Sequence, residues 1–321
     1  MKVFRSFKWL VFTLLLVTSE SFAQPYPTKP IRLILPFPAG SATDSIVRVI
    51  AQPLSQSLKQ SIIVENRPGA DGSIAASEVM RAPPDGYTLL MATNSPLAAV
   101  PTMKKSPPYD PVKDFTPISY FGKYTYLVLV NPSLSVKSLA DLIKYAQANP
   151  TTLNFATGNT FGLISTSQLM SLWGIKMNHV PYKGEPPALL DLIEGRVQFM
   201  FATQTTALPF VQQGRLRALA TISHQRLAEL PEVPTLTEAG VTRFSILPWA
   251  ALFGPARMPS EIVATLNKAM VDAVTDTAIR QQLERYAFEP STSTPQQLAD
   301  FLQAQLKAWT TTLAEVGIRP E

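Results

Sequence analysis

The chain has 321 residues, a formal charge of +5, two histidines and no cysteine. So small a charge, with no cluster of Lys and Arg, is no footprint for nucleic acid. Disulfides, thiol nucleophiles and cysteine-held metals are excluded, and His179 and His224 have no metal-ligand spacing or triad-like company around them.

At the N-terminus Lys2, Arg5 and Lys8 precede the apolar stretch Trp9 to Val17, and Ser21-Phe22-Ala23 ends it with small outer residues. This is the layout of a secretory signal peptide at residues 1–23, cleaved after Ala23. Its apolar part falls well short of the roughly 20 residues that span a bilayer. The exported chain loses three cations and one acid, which leaves +3. Its length is comfortable for two domains.

From Lys29 onward, short apolar runs alternate with helical periods. Ile31 to Leu35 reads as a buried strand. Residues 44–58 carry an apolar helical face at Ile46, Val47, Val49, Ile50, Leu54 and Leu58, with Pro53 expected to kink or break it. Strands follow at 62–64 and 87–92, with a short helix at 73–81 between them. A second block starts near Tyr124, with the strand 126–130 and a helix from Ser138 to Ala148. It continues with a strand at 153–156, a helix at 163–172, a helix through Ala188 to Glu194 and a strand at 197–201. Beyond Leu219 the chain is rich in proline and closes with helices near 260–275, 277–285 and 295–316. Because the second block is complete, those helices are expected to return to the first. The alternation predicts an α/β protein of parallel units.

In open α/β sheets, ligands sit outside the carboxyl ends of the strands, beside helix N-termini. Small and polar residues gather at four such ends. They are Phe37, Ala39, Gly40, Ser41, Thr43 and Asp44; then Thr93, Asn94 and Ser95; then Thr157, Gly158, Asn159 and Thr160; then Thr203 and Gln204. Each residue alone is an ordinary cap or turn former. Together they are expected to face one cleft and hold an anion with N–H groups and hydroxyls. Lys183 is a further candidate beside them, and Phe37 and Trp249 are the aromatics that could cover a carbon chain. No acid–base pair is visible, so no catalytic role is assigned, and no metal or cofactor is expected.

Several longer segments are distinctive: PFPAG at 36–40 with Asp44 and Arg48, VENRPGADGSIAA at 64–76, APPDGYTLL at 82–90, HVPYKG at 179–184, PALLDLIEGRV at 187–197, GRLRALA at 214–220 and LPEVPTLTEAG at 230–240. Through them, nearly the whole exported chain resembles the Bug family of periplasmic solute-binding proteins, the receptors of tripartite tricarboxylate transporters. The resemblance implies a type II periplasmic binding fold of two lobes joined by a two-strand hinge. Lobe one would comprise 24–123 plus 222–321, and lobe two 124–221. It also implies capture of a small carboxylate and docking of a monomer on membrane permease subunits. A role in presenting the acid to a membrane sensor kinase is the alternative. An aspartate common in the family after the strand before Gln204 is replaced by Ala202-Thr203-Gln204. That loss points to a monocarboxylate or aromatic acid rather than an α-amino acid.

Overall fold

The computed structural model describes residues 26–241, 246 and 248–320. The expected signal peptide and its cleavage site lie outside the described residues. The inner strands are largely apolar because they are buried on both faces: β3 (Thr88–Thr93) is buried throughout and β1 (Ile31–Leu35) at every position but Arg32, while β2 (Ile62–Asn66) lies at an edge and is only half-buried. Between them run α1 (Ala42–Leu58) and α2 (Ser73–Met80). Ser41 caps α1, and the helix is continuous through Pro53 rather than broken there; Lys59 in the left-handed region ends it. A helical turn at Ser95–Ala99 runs into α3 (Val100–Met103), and β4 (Phe115–Tyr124) follows.

One residue, Thr125, then separates β4 from β5 (Tyr126–Val130), which belongs to a different sheet. The second sheet is built from a contiguous run of chain: α4 (Leu139–Ala148), β6 (Asn154–Thr157), α5 (Thr160–Trp173), β7 (Asn178–Pro181), α6 (Glu185–Ile193), β8 (Phe199–Thr203), α7 (Gln204–Gln212) and β9 (Arg217–Thr221). After an irregular stretch the chain returns with β10 (Trp249–Pro255), α8 (Ser260–Thr275), α9 (Thr277–Arg285), β11 (Phe288–Pro290) and α10 (Pro295–Glu315). Thr294 and Gln297 start α10 with a reciprocal capping box.

The two sheets have the orders β11-β4-β10-β3-β1-β2 and β7-β6-β8-β5-β9. In the first, β1 pairs parallel to β2 and β3, whereas β10 runs antiparallel to β3 and β4. In the second, β6 pairs parallel to β7 and β8, and β5 runs antiparallel to β8 and β9. The closing helices pack on the first sheet's layer, with α8 against α1 and β4 and α10 against β4. This is the two-lobed type II periplasmic binding fold. It sets the ends of β1, β3, β6 and β8 around one cleft, with the Tyr124–Tyr126 crossing at its back.

Candidate functional site

The loop after β1 is held by a single carboxylate. Asp44 accepts the Gly40 N–H at 3.0 Å, Asn66 Nδ2 at 3.1 Å and Arg48 Nε at 3.1 Å. Asn66 Nδ2 also reaches the Phe37 carbonyl at 2.9 Å, which ties β2 to the same loop. Burial pushes the Asp44 carboxyl up, but the bonds from Arg48, Gly40 and Asn66 outweigh it and hold it below the usual range. Thus braced, the loop turns Phe37, Ser41, Ala42 and Thr43 toward a cavity.

At the end of β3, Thr93, Asn94 and Ser95 form the next wall and are all buried. The Thr93 hydroxyl and Asn94 Nδ2 have no hydrogen-bond partner. The crossing contributes two phenols: Tyr124 shares a 2.8 Å hydrogen bond with the Thr43 hydroxyl, and Tyr126 accepts from Asn159 Nδ2 at 3.1 Å. Burial drives both phenols well above the ordinary tyrosine range.

The second lobe supplies Gly158, Asn159, Glu185 and Thr203. Asn159 caps α5 by accepting the Gly162 N–H at 2.9 Å. Glu185 begins α6 and is only 5% exposed. Its Oε2 accepts the hydroxyls of Thr203 at 2.6 Å and Thr206 at 2.9 Å. Its Oε1 accepts Asn159 Nδ2 at 3.1 Å, and the Thr203 N–H lies 3.3 Å from both oxygens. Burial pushes this carboxyl up, and the donors from Thr203, Thr206 and Asn159 offset it only in part.

The walls are nearly shut. The centre of a water-sized sphere can range over only about 20 Å³. Pro38 of the first lobe lies against Gly184 of the second, and the Thr205 hydroxyl donates to the Tyr286 carbonyl. Among the described residues no lysine or arginine lines the cavity. Residues at the starts of α1, α5 and the helical stretch after β3 line it, and the N–H groups left unpaired at a helix start favour an anion.

Nine of the sequence candidates therefore converge: Phe37, Ser41 and Thr43; Thr93, Asn94 and Ser95; Gly158, Asn159 and Thr203. The other seven do not line the cavity. Ala39 and Gly40 are exposed on the loop, and Asp44 braces it from behind. Thr157 bonds to His179 Nε2 at 2.7 Å, Thr160 is buried in α5, and Gln204 reaches Glu229. Lys183 is exposed while its neighbour Glu185 turns inward. Trp249 is fully buried in β10 with its ring edge-on to Phe301, away from the cavity.

Sequence reasoning missed Ala42, Tyr124, Tyr126 and Glu185. The tyrosines had a usable signal, since they flank the point where the strand pattern restarts. Glu185 supplies an acid in the cavity wall that the reading of Ala202-Thr203-Gln204 did not foresee. Ala202 cannot supply one, but Glu185 brings its carboxyl to the Thr203 amide from a different loop. Among the described residues no group of His, Asp and Glu is placed to hold a metal ion.

The family model described as tripartite tricarboxylate transporter family receptor matches residues 46–318. The chain is 34% identical over 301 residues to Protein BugT of Bordetella pertussis, a match covering 92% of each sequence. It superposes with a TM-score of 0.88 on the solved structure of R. palustris Rpa4515 with adipate. That match is 33% identical and covers 92% of this chain and 100% of the other. MatC from Rhodopseudomonas palustris, solved with bound malate, matches with a TM-score of 0.83 at 29% identity, over 90% of this chain and 100% of that one.

Proposed function

Since the chain belongs to the tripartite tricarboxylate transporter receptor family, we propose that it captures a small carboxylate between its two lobes and hands it to the permease subunits of such a transporter. The observation that carries this is the pair of unpartnered donors, the Thr93 hydroxyl and Asn94 Nδ2, buried at the point where the starts of three helical stretches converge. A buried donor without a partner is costly, and an anionic oxygen arriving there removes that cost. Adipate and malate in the related structures are carboxylates of the expected size class.

The protein acts as a monomer outside the inner membrane after loss of residues 1–23. Lobe one comprises 24–123 plus 222–321, and lobe two 124–221. Binding works by closure: the ligand touches both lobes only when they are shut, so it favours the shut form by its differential contacts. The site residues in this reading are the nine convergent candidates with Ala42, Tyr124, Tyr126 and Glu185. We read the site as one for binding rather than catalysis: among the described residues, Glu185 is joined in the lining by no other Asp or Glu and by no His, Lys or Arg.

A thermal-shift screen of the exported chain against mono-, di- and tricarboxylic, aromatic and amino acids tests the proposal. A true ligand at about 100 times its Kd stabilises the protein by roughly 2.7 kcal/mol, a shift of a few degrees at this chain length. A panel with no shift at all would sink the carboxylate reading.

A further inference from the structure

Among the described residues Glu185 is the one charged side chain in the cavity wall, and it is a carboxylate in a site read as taking carboxylates. Its hydrogen-bond donors are neutral and come from its own lobe, namely Asn159 Nδ2, the Thr203 amide and hydroxyl and the Thr206 hydroxyl, and from the crossing, where the Tyr126 phenol bonds to it. Among the described residues no cation is paired with it; Arg48 is turned to Asp44 and Lys183 is exposed. A buried anion compensated only by neutral dipoles remains in want of a counter-charge. The two oxygens are also unequally served. Oε2 accepts two hydroxyls at 2.6 and 2.9 Å, whereas Oε1 accepts one amide nitrogen at 3.1 Å and shares a long 3.3 Å amide contact. Oε1 therefore keeps acceptor capacity in a wall of the cavity.

The opposite wall has the complementary deficit. There the Thr93 hydroxyl and Asn94 Nδ2 are donors without acceptors, and both residues are 3% exposed. The cavity thus has a donor-rich end on the first lobe and an anionic acceptor on the second. A ligand that satisfies both must be anionic at one end and a hydrogen-bond donor, best a cation, at the other. A dicarboxylate satisfies the first wall and sets its second charge against Glu185 in a place shielded from water.

We infer that the ligand is a zwitterion, an amino-substituted carboxylic acid whose carboxylate is held by Thr93 and Asn94 and whose ammonium is held by Glu185. This rests on the carboxylate-capture reading and narrows it to one charge class. It also reverses the expectation drawn from Ala202, because the acid missing at that position is supplied from position 185.

The test is isothermal titration of the exported chain with matched series. The zwitterions β-alanine, γ-aminobutyrate and 5-aminopentanoate, together with the common α-amino acids, are compared with molecules in which the ammonium is replaced. Succinate, glutarate and adipate carry a carboxylate there; butyrate, pentanoate and hexanoate carry a methyl group. At least one zwitterion is expected to bind ten times or more tighter than both of its counterparts. In Glu185→Gln that ratio is expected to fall at least tenfold, with folding checked by circular dichroism. Should the variant fail to fold, the wild-type ratios decide the ligand class alone. A dicarboxylate or monocarboxylate that outbinds every zwitterion overturns this inference and leaves carboxylate capture standing. A preference for zwitterions that persists in Glu185→Gln overturns the role given to Glu185. Failure of every acid to bind overturns both readings together.

Discussion

Gly184 and Pro38 meet across the cleft so closely that a Cβ on Gly184 would lie 2.6 Å from Pro38 Cγ. The backbone of Gly184 is extended (φ 161°), so the absence of a side chain there serves approach rather than an unusual turn. Gly184→Ala is therefore expected to disfavour the shut form without straining either lobe. Overpacking of this kind costs about 1–3 kcal/mol, which predicts a Kd raised roughly tenfold or more. The ligand-free melting temperature should move little, and titration calorimetry beside a melting curve separates the two effects. An unchanged Kd would mean the shut geometry is not the one that binds.

The unpartnered donors make an opposite pair of expectations. Thr93→Val keeps the shape of the side chain and removes a buried hydroxyl that has no partner. Ligand-free stability should rise, by up to about 1 kcal/mol, because the desolvated group is gone. Affinity for the ligand should fall by roughly 1–3 kcal/mol, since its oxygen loses a donor. A melting temperature that drops without ligand would show that the hydroxyl has a structural partner after all.

Asp44 lends itself to a pH experiment. Its folded-state pKa is depressed below the ordinary 3.8, so its contribution is fully present above that value and is lost as pH falls through the lower folded value. Asp44→Ala should cost about 2 kcal/mol at neutral pH through the lost charge-assisted bonds. The gap between wild type and variant should close on acidification below about pH 4. Urea unfolding at a series of pH values measures it, and a gap constant down to pH 2 would contradict the assignment.

The bond between Thr43 and Tyr124 can be isolated by a double-mutant cycle. Tyr124→Phe and Thr43→Val each remove one hydroxyl of the 2.8 Å pair. A coupling energy of about 0.5–1.5 kcal/mol is expected from chemical unfolding. Additive single effects would show that the bond contributes nothing measurable.

What could be read in advance follows from how local each feature is. β5 is an unbroken apolar run, β1 is one but for Arg32 and β8 but for its last residue, Thr203, and α8 to α10 carry strong helical periods, so pattern alone located them. β4 is different: Phe115-Thr116-Pro117-Ile118-Ser119 mixes a proline with polar residues, and its pairing to β10 shifts register twice. Only the tertiary partner makes that stretch a strand. Similarly, α7 contains Pro209 and short polar residues, which hide its helical character. Within the site, the loops at 36–44, 93–95 and 157–160 announced themselves through small polar residues at strand ends. Yet a cap that points into the cavity and one that points behind it look alike in sequence, as Ser41 and Asp44 illustrate. Glu185 had no local mark. Its inward turn depends on Asn159 and Thr203, which lie 26 and 18 positions away.

Tyr124 and Tyr126 flank the single residue at which the chain first passes from one sheet to the other, and both rings form part of the cavity wall. The pivot of the molecule is thus also a piece of its recognition surface. Substitutions at these two positions cannot retune ligand choice without also shifting the balance between open and shut forms. Substitutions at Thr93 or Asn94, which lie at the end of β3 and not in the crossing, are free of that bond. Selection for a new ligand can therefore proceed at the walls, while the crossing is held to the swing that the proposed capture requires.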